Sequence, residues 1–239
     1  MNVALIFAGG VGTRMNSSAK PKQFLELHGK PIIIHTIDLF EKHKNIDAIV
    51  VSCVEDWIDY LKELIVHFHI KKVVSVVPGG STGQESIYNG LTEIEKLFPS
   101  NSVVLIHDGV RPLINEQIIS DNIESVKKYG SAVTTAPTTE TFVVTDDNQE
   151  VIEVPSRKHS RLAKAPQSYI LEDILSVHRL ALKDGIVNSI DSCTLMQSYG
   201  KTLKLVEGPV ENIKITTPTD FYIFKAIYEA REYNQIVGL

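Results

Sequence analysis

Short apolar runs alternate along this chain with longer stretches in which apolar residues recur every three or four positions. Val3–Phe7, Ala48–Cys53, Lys72–Val77 and Val103–Ile106 are rich in β-branched residues and predict strands. Between them, Pro31–Lys42, Asp56–His69 and Gln84–Leu97 carry the helical period. The strands read as continuous apolar runs, as they do when both faces of a sheet are covered. This order predicts an α/β fold with a mostly parallel sheet and helices on both faces. A further helix at Glu116–Lys128 leads into a strand at Ala132–Ala136.

The rhythm breaks between Thr138 and Ala165. Thr141–Thr145 and Glu150–Val154 flank Asp146-Asp147-Asn148, residues that favour turns by bonding to nearby backbone. This pattern is a hairpin inserted into an α/β chain. A lone two-stranded hairpin is marginal in water. Residues 138–165 are therefore expected to form an arm that packs on something else, a partner subunit first of all. Helices follow at Leu171–Lys183 and Ser189–Tyr199, then a strand at Thr202–Val206 and a closing helix at Pro218–Tyr233. No repeat, low-complexity tract or linker divides the chain, so residues 1–239 are expected to form one domain.

The bulk numbers narrow the class. A net charge of −5 argues against a general nucleic-acid binder. No apolar run reaches membrane-spanning length, and no basic leader precedes the first strand, so a cytoplasmic protein is expected. Cys53 and Cys193 make no disulfide framework. Cys53 is expected in the core and Cys193 at a buried helix position.

Four segments carry candidate chemistry. After the first strand comes Ala8-Gly9-Gly10-Val11-Gly12-Thr13-Arg14-Met15, and shortly after it Pro21-Lys22-Gln23-Phe24. Glycines let backbone approach a ligand, successive N–H groups make an anion nest, and Arg14 and Lys22 suit a triphosphate. The loop is neither a P-loop nor a dinucleotide fingerprint, because no Gly-Lys-Ser/Thr follows and Met15 stands where the third glycine belongs. The second segment, His107-Asp108-Gly109-Val110-Arg111-Pro112, ends a strand, where open α/β sheets bind ligands. Asp108 there suits Mg²⁺, or pairs with Arg111 as a plain ion pair. The third, Pro78-Gly79-Gly80-Ser81-Thr82-Gly83-Gln84-Glu85-Ser86, brings free backbone donors to a helix start; it receives a base or sugar edge or merely caps the helix. In the fourth, Asn212-Ile213-Lys214-Ile215-Thr216, Lys214 alternates with isoleucines beside a threonine-rich helix entry that suits an anion.

These segments, with Gly-Lys-Pro-Ile, Ser-Ile-Tyr-Asn-Gly and Ala-Pro-Gln, occur in an order that resembles the sugar-alcohol-phosphate cytidylyltransferases. That family includes methylerythritol-phosphate and ribitol-5-phosphate enzymes, and the likeness covers nearly the whole chain. It implies a Rossmann-like nucleotidyltransferase fold, a CTP site, a Mg²⁺ requirement and a homodimer exchanging the hairpin arm. By the same resemblance, Ala8, Gly9, Gly10, Gly12, Arg14 and Lys22 hold the triphosphate, and Gly80 and Ser86 face cytosine and ribose. Asp108 contacts the nucleotide and the metal. Arg111, Thr216 and the arm residue Arg157 bind the acceptor, and Lys214 lies near the reacting phosphates.

Gly83, Ala165 and Ile190 depart from the methylerythritol pattern, and the Ile-Phe-Ala-Gly-Gly and Asp-Gly-Val-Arg-Pro wording is closer to the ribitol branch. The expected reaction is CMP transfer from CTP to a polyol phosphate. Ribitol 5-phosphate, for teichoic acid or capsule polymers, stands first; methylerythritol 4-phosphate, for isoprenoids, stands second. A catalytically silent nucleotide-binding relative and a sugar-1-phosphate nucleotidyltransferase are the other readings. The acceptor's own phosphate is the nucleophile, so no general base is needed, and His107 is expected to be structural.

Overall fold

The apolar runs become neighbouring strands. The computed structural model describes residues 1–9 and 20–237. In chain order it comprises β1 (Asn2–Ala8), β2 (Glu26–Leu27), β3 (Lys30–Pro31), α1 (Ile32–Lys42), β4 (Ala48–Cys53), α2 (Ile58–His67), β5 (Val73–Pro78), α3 (Gly83–Leu97) and β6 (Val103–Asp108). Then come α4 (Glu116–Tyr129), β7 (Ser131–Pro137), β8 (Val144–Thr145), β9 (Val151–Glu153), β10 (Arg161–Ile170), α5 (Leu171–Lys183), α6 (Ser192–Ser198), β11 (Leu205–Glu207) and α7 (Pro218–Val237). A seven-stranded sheet runs β11-β7-β10-β6-β1-β4-β5. β1, β4, β5 and β6 are parallel, β10 is antiparallel to both neighbours, and β11 is parallel to β7.

Alternation along each strand sends side chains to two separate cores. Ala4 and Ile6 of β1, Ile49 and Val51 of β4, and Val103 and Leu105 of β6 pack with Ile33, Ile37 and Phe40 of α1, Leu61 of α2 and Ile119 and Ile123 of α4. The intervening Val3, Leu5, Val50, Val104 and Ile106 pack with Ile87 and Leu91 of α3, Ile174 and Leu175 of α5 and Leu195 of α6. Both faces are thus covered by helices. Phe224 of α7 packs in a smaller third cluster with Ile32, Val110, Leu113 and Ile215, beneath the loop that follows β6.

This order positions the site. From β1 the chain builds outward through β4 and β5, then crosses back to place β6 on the other side of β1. Such a reversal opens a crevice at the carboxyl ends of the strands. There Phe7 and Asp108 stand side by side in register, and the Gly109 N–H donates to the Phe7 carbonyl (3.0 Å).

The structure departs from the sequence reading in four places. The hairpin is shorter than expected, its paired strands being only Val144–Thr145 and Val151–Glu153. Residues 161–165, assigned to the arm, instead begin β10, where Arg161 pairs with Pro137 and Leu162 with Ala136. The Pro166 inside this strand hid it, because proline removes a ladder donor; the strand accommodates it with a bulge between Ala163 and Gln167 and a cis Ala165–Pro166 bond. The helix expected from Ser189 starts at Ser192, because Asp191 caps it by accepting from the Thr194 N–H (2.7 Å). The predicted strand at Thr202–Val206 forms at Leu205–Glu207. Cys53 is in the core and Cys193 is partly buried on α6. Among the described residues no helix is long and apolar enough to cross a membrane.

Buried histidines make the fold's stability depend on pH, His178 among them. His178 of α5 is only 1% exposed, and among the described residues neither ring nitrogen has a hydrogen-bond partner. Burial pushes its pKa down to about 4, against about 6.5 in an unfolded chain. As pH falls through that window the unfolded chain takes up a proton that the folded one refuses, so stability present above about pH 6.5 is lost toward about pH 4. At about pH 4.5 the imidazole should cost about 2 kcal/mol. Thermal unfolding of the wild type and His178→Leu at both ends of the window checks this. The acid-induced drop in Tm should be smaller in the variant, and equal drops would reject the assignment.

Candidate active site

Asp108 organises the crevice. It is the last residue of β6 and is buried. Its Oδ2 accepts from Arg111 Nε (2.7 Å), and its Oδ1 lies 2.7 Å from Lys214 Nζ. Burial alone would raise the carboxyl's pKa, but the charges and hydrogen bonds of Lys214 and Arg111 outweigh it and hold Asp108 ionised far below the usual range. Of the two readings of Asp108, the ion pair with Arg111 is the one present, at the carboxyl end of a switch-point strand. His107 points the other way. It is fully buried, its Nε2 donates to the Arg111 carbonyl (3.0 Å), and burial pushes its pKa down to about 4.

Lys214 arrives from far along the chain because one buried side chain ties its loop down. Asn212 is 0% exposed, and its Nδ2 donates to the Ala165 carbonyl of β10 (2.6 Å). The Asn212 carbonyl in turn accepts from Arg111 Nη1 (2.9 Å) and from Lys164 Nζ (3.0 Å). The Ile215 N–H donates to Val110 (3.0 Å), which pins the segment along the loop after β6. Burial lowers the pKa of Lys164, and the neighbouring Arg111 charge adds to the effect. Sequence reasoning missed Lys164; the signal available was its position next to Ala165-Pro166-Gln167.

The glycine-rich segments meet at the carboxyl ends of β1 and β5. Gly9 lies against Ser86, so close that a Cβ there would overlap the serine Oγ. Ser86 Oγ accepts from the Gly80 N–H (3.0 Å) and donates to the Thr82 carbonyl (2.9 Å). Thr82 caps α3 by accepting from the Glu85 N–H (3.1 Å). Gln23, 1% exposed, donates to the Ala8 carbonyl (2.9 Å), which sets the short helical turn Lys22–Phe24 beside the end of β1. Gly10, Gly12 and Arg14 lie outside the described residues.

A cavity of about 280 Å³ opens beside this cluster; its lining includes Asp108, Arg111, Lys164 and Lys214 together with Ile87, His178, Ser192 and Leu195. Its wall is the loop between α5 and α6, held by two glutamines that the sequence reading did not single out. Gln84 Nε2 donates to the Ile186 carbonyl (2.7 Å) while its Oε1 accepts from the Ser189 N–H (2.7 Å). Gln167 Nε2 donates to Asp191 Oδ2 (2.8 Å) while its Oε1 accepts from the Cys193 N–H (2.7 Å). Ile190, between these anchors, is 92% exposed and lines the cavity. Two predicted residues stand apart. Thr216 N–H and Oγ1 both donate to Asp220 Oδ2 at the start of α7 (2.8 Å each). Arg157 sits on the exposed arm, where Nη2 donates to Thr141 Oγ1 (2.9 Å), and within this chain it does not line the cavity.

Among the described residues no group of three or more His, Cys, Asp and Glu side chains is gathered to hold a metal ion. Two carboxylates line the cavity: both oxygens of Asp108 face cations, and those of Asp191 accept from Gln167 Nε2 and the Thr194 N–H. A hard ion bound mainly through phosphate oxygens and water, with one protein carboxylate, fits such a donor set; an ion caged by protein alone does not.

The chain matches the model of the IspD family, 2-C-methyl-D-erythritol 4-phosphate cytidylyltransferase, over residues 2–230. It is 63% identical over the full length of both chains to a ribitol-5-phosphate cytidylyltransferase of Vibrio parahaemolyticus. It is 38% identical, over 95% of this chain and 97% of the other, to a 2-C-methyl-D-erythritol 4-phosphate cytidylyltransferase of Clostridium botulinum. Among solved structures, the 4-diphosphocytidyl-2C-methyl-D-erythritol synthase of Anaerococcus prevotii superposes with a TM-score of 0.81, at 26% identity and covering 95% of this chain and 96% of that one.

Removing the central charge tests how far the ion cluster holds the site together. Asp108→Asn keeps the shape but leaves Arg111 and Lys214 facing each other without their counter-charge. Breaking a buried pair this way costs about 3 kcal/mol. Chemical denaturation near neutral pH should show a loss of that order, and a variant as stable as the wild type would reject this role.

Proposed function

This cytidylyltransferase belongs to the 2-C-methyl-D-erythritol 4-phosphate cytidylyltransferase family, and we propose that it transfers CMP from CTP to D-ribitol 5-phosphate, giving CDP-ribitol and pyrophosphate. The observation that carries the reading is the much higher full-length likeness to the ribitol enzyme than to the methylerythritol one. The departures at Ala165 and Ile190 support it, since both line the cavity beside Asp108 and Lys214.

In this reading a phosphate oxygen of the acceptor attacks the α-phosphorus of CTP, the α–β bridging bond breaks, and pyrophosphate leaves. The nucleophile is already an anion near neutrality. The barrier is then charge repulsion and alignment, which cations in a preorganised site relieve. Arg14 and Lys22 hold the triphosphate, with Ala8, Gly9, Gly10 and Gly12 offering backbone. Gly80 and Ser86 receive the nucleoside. Lys214 exchanges part of its bond to Asp108 for the reacting phosphates, and Arg111 and Thr216 face the acceptor. Mg²⁺ would be held by Asp108 together with phosphate oxygens, where it supplies further neutralisation of charge. His107 is sealed behind Asp108 and takes no part. A CTP-consuming step of this kind belongs in the cytoplasm.

The arm completes the reading. Phe142, Val143, Val151, Ile152 and Val154 stand exposed on or beside the hairpin, a grouping that favours a second copy of the chain as its cover. In a homodimer joined through the arm, Arg157 of one chain reaches the acceptor phosphate bound to the other.

Pyrophosphate release from CTP tests the acceptor. D-ribitol 5-phosphate should support turnover at least about tenfold above 2-C-methyl-D-erythritol 4-phosphate, a difference of about 1.4 kcal/mol in barrier; the reverse order would overturn the assignment. A second experiment tests the shared site. Lys22→Ala should lower turnover about a hundredfold, the scale of losing one electrostatic stabiliser. Arg157→Ala should leave CTP binding intact and weaken acceptor binding. Mixed dimers of the two variants should regain activity, because one hybrid site contains both native cations. Mixed dimers that form and stay inactive would reject the exchange.

A further inference from the structure

We propose that Lys164 is a further substrate-binding residue, which together with Arg111 grips the phosphate of the acceptor. This inference rests on the reading above, in which the acceptor is a polyol phosphate.

Two cations meet on one neutral oxygen. The Asn212 carbonyl accepts from Arg111 Nη1 (2.9 Å) and from Lys164 Nζ (3.0 Å). The guanidinium and the ammonium are therefore neighbours, no farther apart than those two bonds together span. Like charges so placed repel, and a carbonyl dipole does not cancel them. Arg111 is compensated by Asp108, which also takes Lys214. Lys164 is not. Its other partner is the Val210 carbonyl (2.9 Å), and among the described residues no carboxylate stands within ion-pair distance of it. Glu211 acts on it more weakly than either its burial or the Arg111 charge, and those two together lower its pKa. A half-buried ammonium without a counter-charge behaves this way, and an anion is what would relieve it.

Donors are left over to receive one. An ammonium has three N–H groups and a guanidinium five. Lys164 gives two to backbone, and Arg111 gives Nε to Asp108 and one Nη1 hydrogen to Asn212. Arg111 Nη2 has no partner among the described residues and is not one of the polar atoms sealed from solvent. Both side chains line the cavity. A phosphate monoester, with two charges and several acceptor oxygens, fits two adjacent cations with unspent donors.

The order of the sheet selects which phosphate. Lys164 is on β10, which flanks β6 on one side, while β1, β4 and β5 lie on the other. The glycine-rich segments assigned to the nucleotide follow β1 and β5. Asp108, at the end of β6, stands between the two groups. An anion on Lys164 and Arg111 thus comes from the flank opposite the triphosphate. Displacement at phosphorus needs that arrangement, with attacking and leaving oxygens in line.

The test separates charge from hydrogen bonding. Lys164→Gln keeps an amide donor for the Val210 and Asn212 carbonyls and removes the charge. KM for D-ribitol 5-phosphate should rise at least about tenfold, the scale of losing one charge-assisted hydrogen bond, while kcat and KM for CTP stay within about twofold. Lys164→Arg, which keeps the charge, should recover most of the loss. Should Lys164→Gln fail to fold, Lys164→Met is measured in its place. An unchanged acceptor KM overturns the inference. So does a lower kcat at unchanged acceptor KM, the result expected if Lys164 only straps down the loop that carries Lys214. Either outcome leaves the ribitol reading standing. A wild type that turns over only 2-C-methyl-D-erythritol 4-phosphate overturns the ribitol reading, and the same comparison with that acceptor then decides the role of Lys164. A wild type active with neither overturns both.

Discussion

The site depends on one buried carboxylate. Asp108 ends a strand whose every residue is inside the protein, and there an isolated charge is not tolerated. It is kept ionised by drawing in Arg111 from its own loop and Lys214 from more than a hundred residues later. Around that requirement the neighbouring backbone is arranged. The Asn212 amide bonds β10, the Asn212 carbonyl takes up Arg111 and Lys164, and the loop after β6 is stitched to the segment before α7. A cluster of cations, which would repel itself if assembled alone, is held by a negative charge already in place. In the reaction proposed here these cations release part of their hold on Asp108 as phosphates arrive, so the electrostatic surroundings of substrate are built before it binds.

Much of the architecture was legible because it follows from burial. Strands covered on both faces must be apolar throughout, and Val3–Phe7, Ala48–Cys53 and Val103–Ile106 declare themselves by that fact alone. Helices with one buried stripe declare themselves by period. β10 did not, because Arg161, Lys164 and Pro166 break the pattern and the bulge shifts its register. The Asp108–Arg111 pair was legible because two opposite charges stand three residues apart where an apolar run ends.

What stayed hidden were single polar residues whose partners are distant backbone groups. Gln84, Gln167 and Asn212 each bond main-chain atoms that lie far away in sequence. Any polar side chain can make such bonds, so composition and spacing say nothing of them. Lys164 was hidden for the same reason, since its ammonium is claimed by the Val210 and Asn212 carbonyls. His178 and Ser192 gave no signal because a histidine on a helix and a serine after a cap are ordinary until both prove buried and unbonded.

The loop between α5 and α6 has a consequence for how such proteins diversify. Its anchors on the α3 side are a glutamine amide bonding the Ile186 carbonyl and the Ser189 N–H, groups present whatever side chains those positions carry. Its anchor on the β10 side is the cap residue Asp191, which also starts the next helix. Ile190 is suspended between these fixings, presents its side chain to the cavity, and supports nothing else. A substitution there changes what the cavity meets and leaves the frame that holds it undisturbed. In the reading proposed above, acceptor preference can therefore drift by point mutation at a position the fold does not monitor.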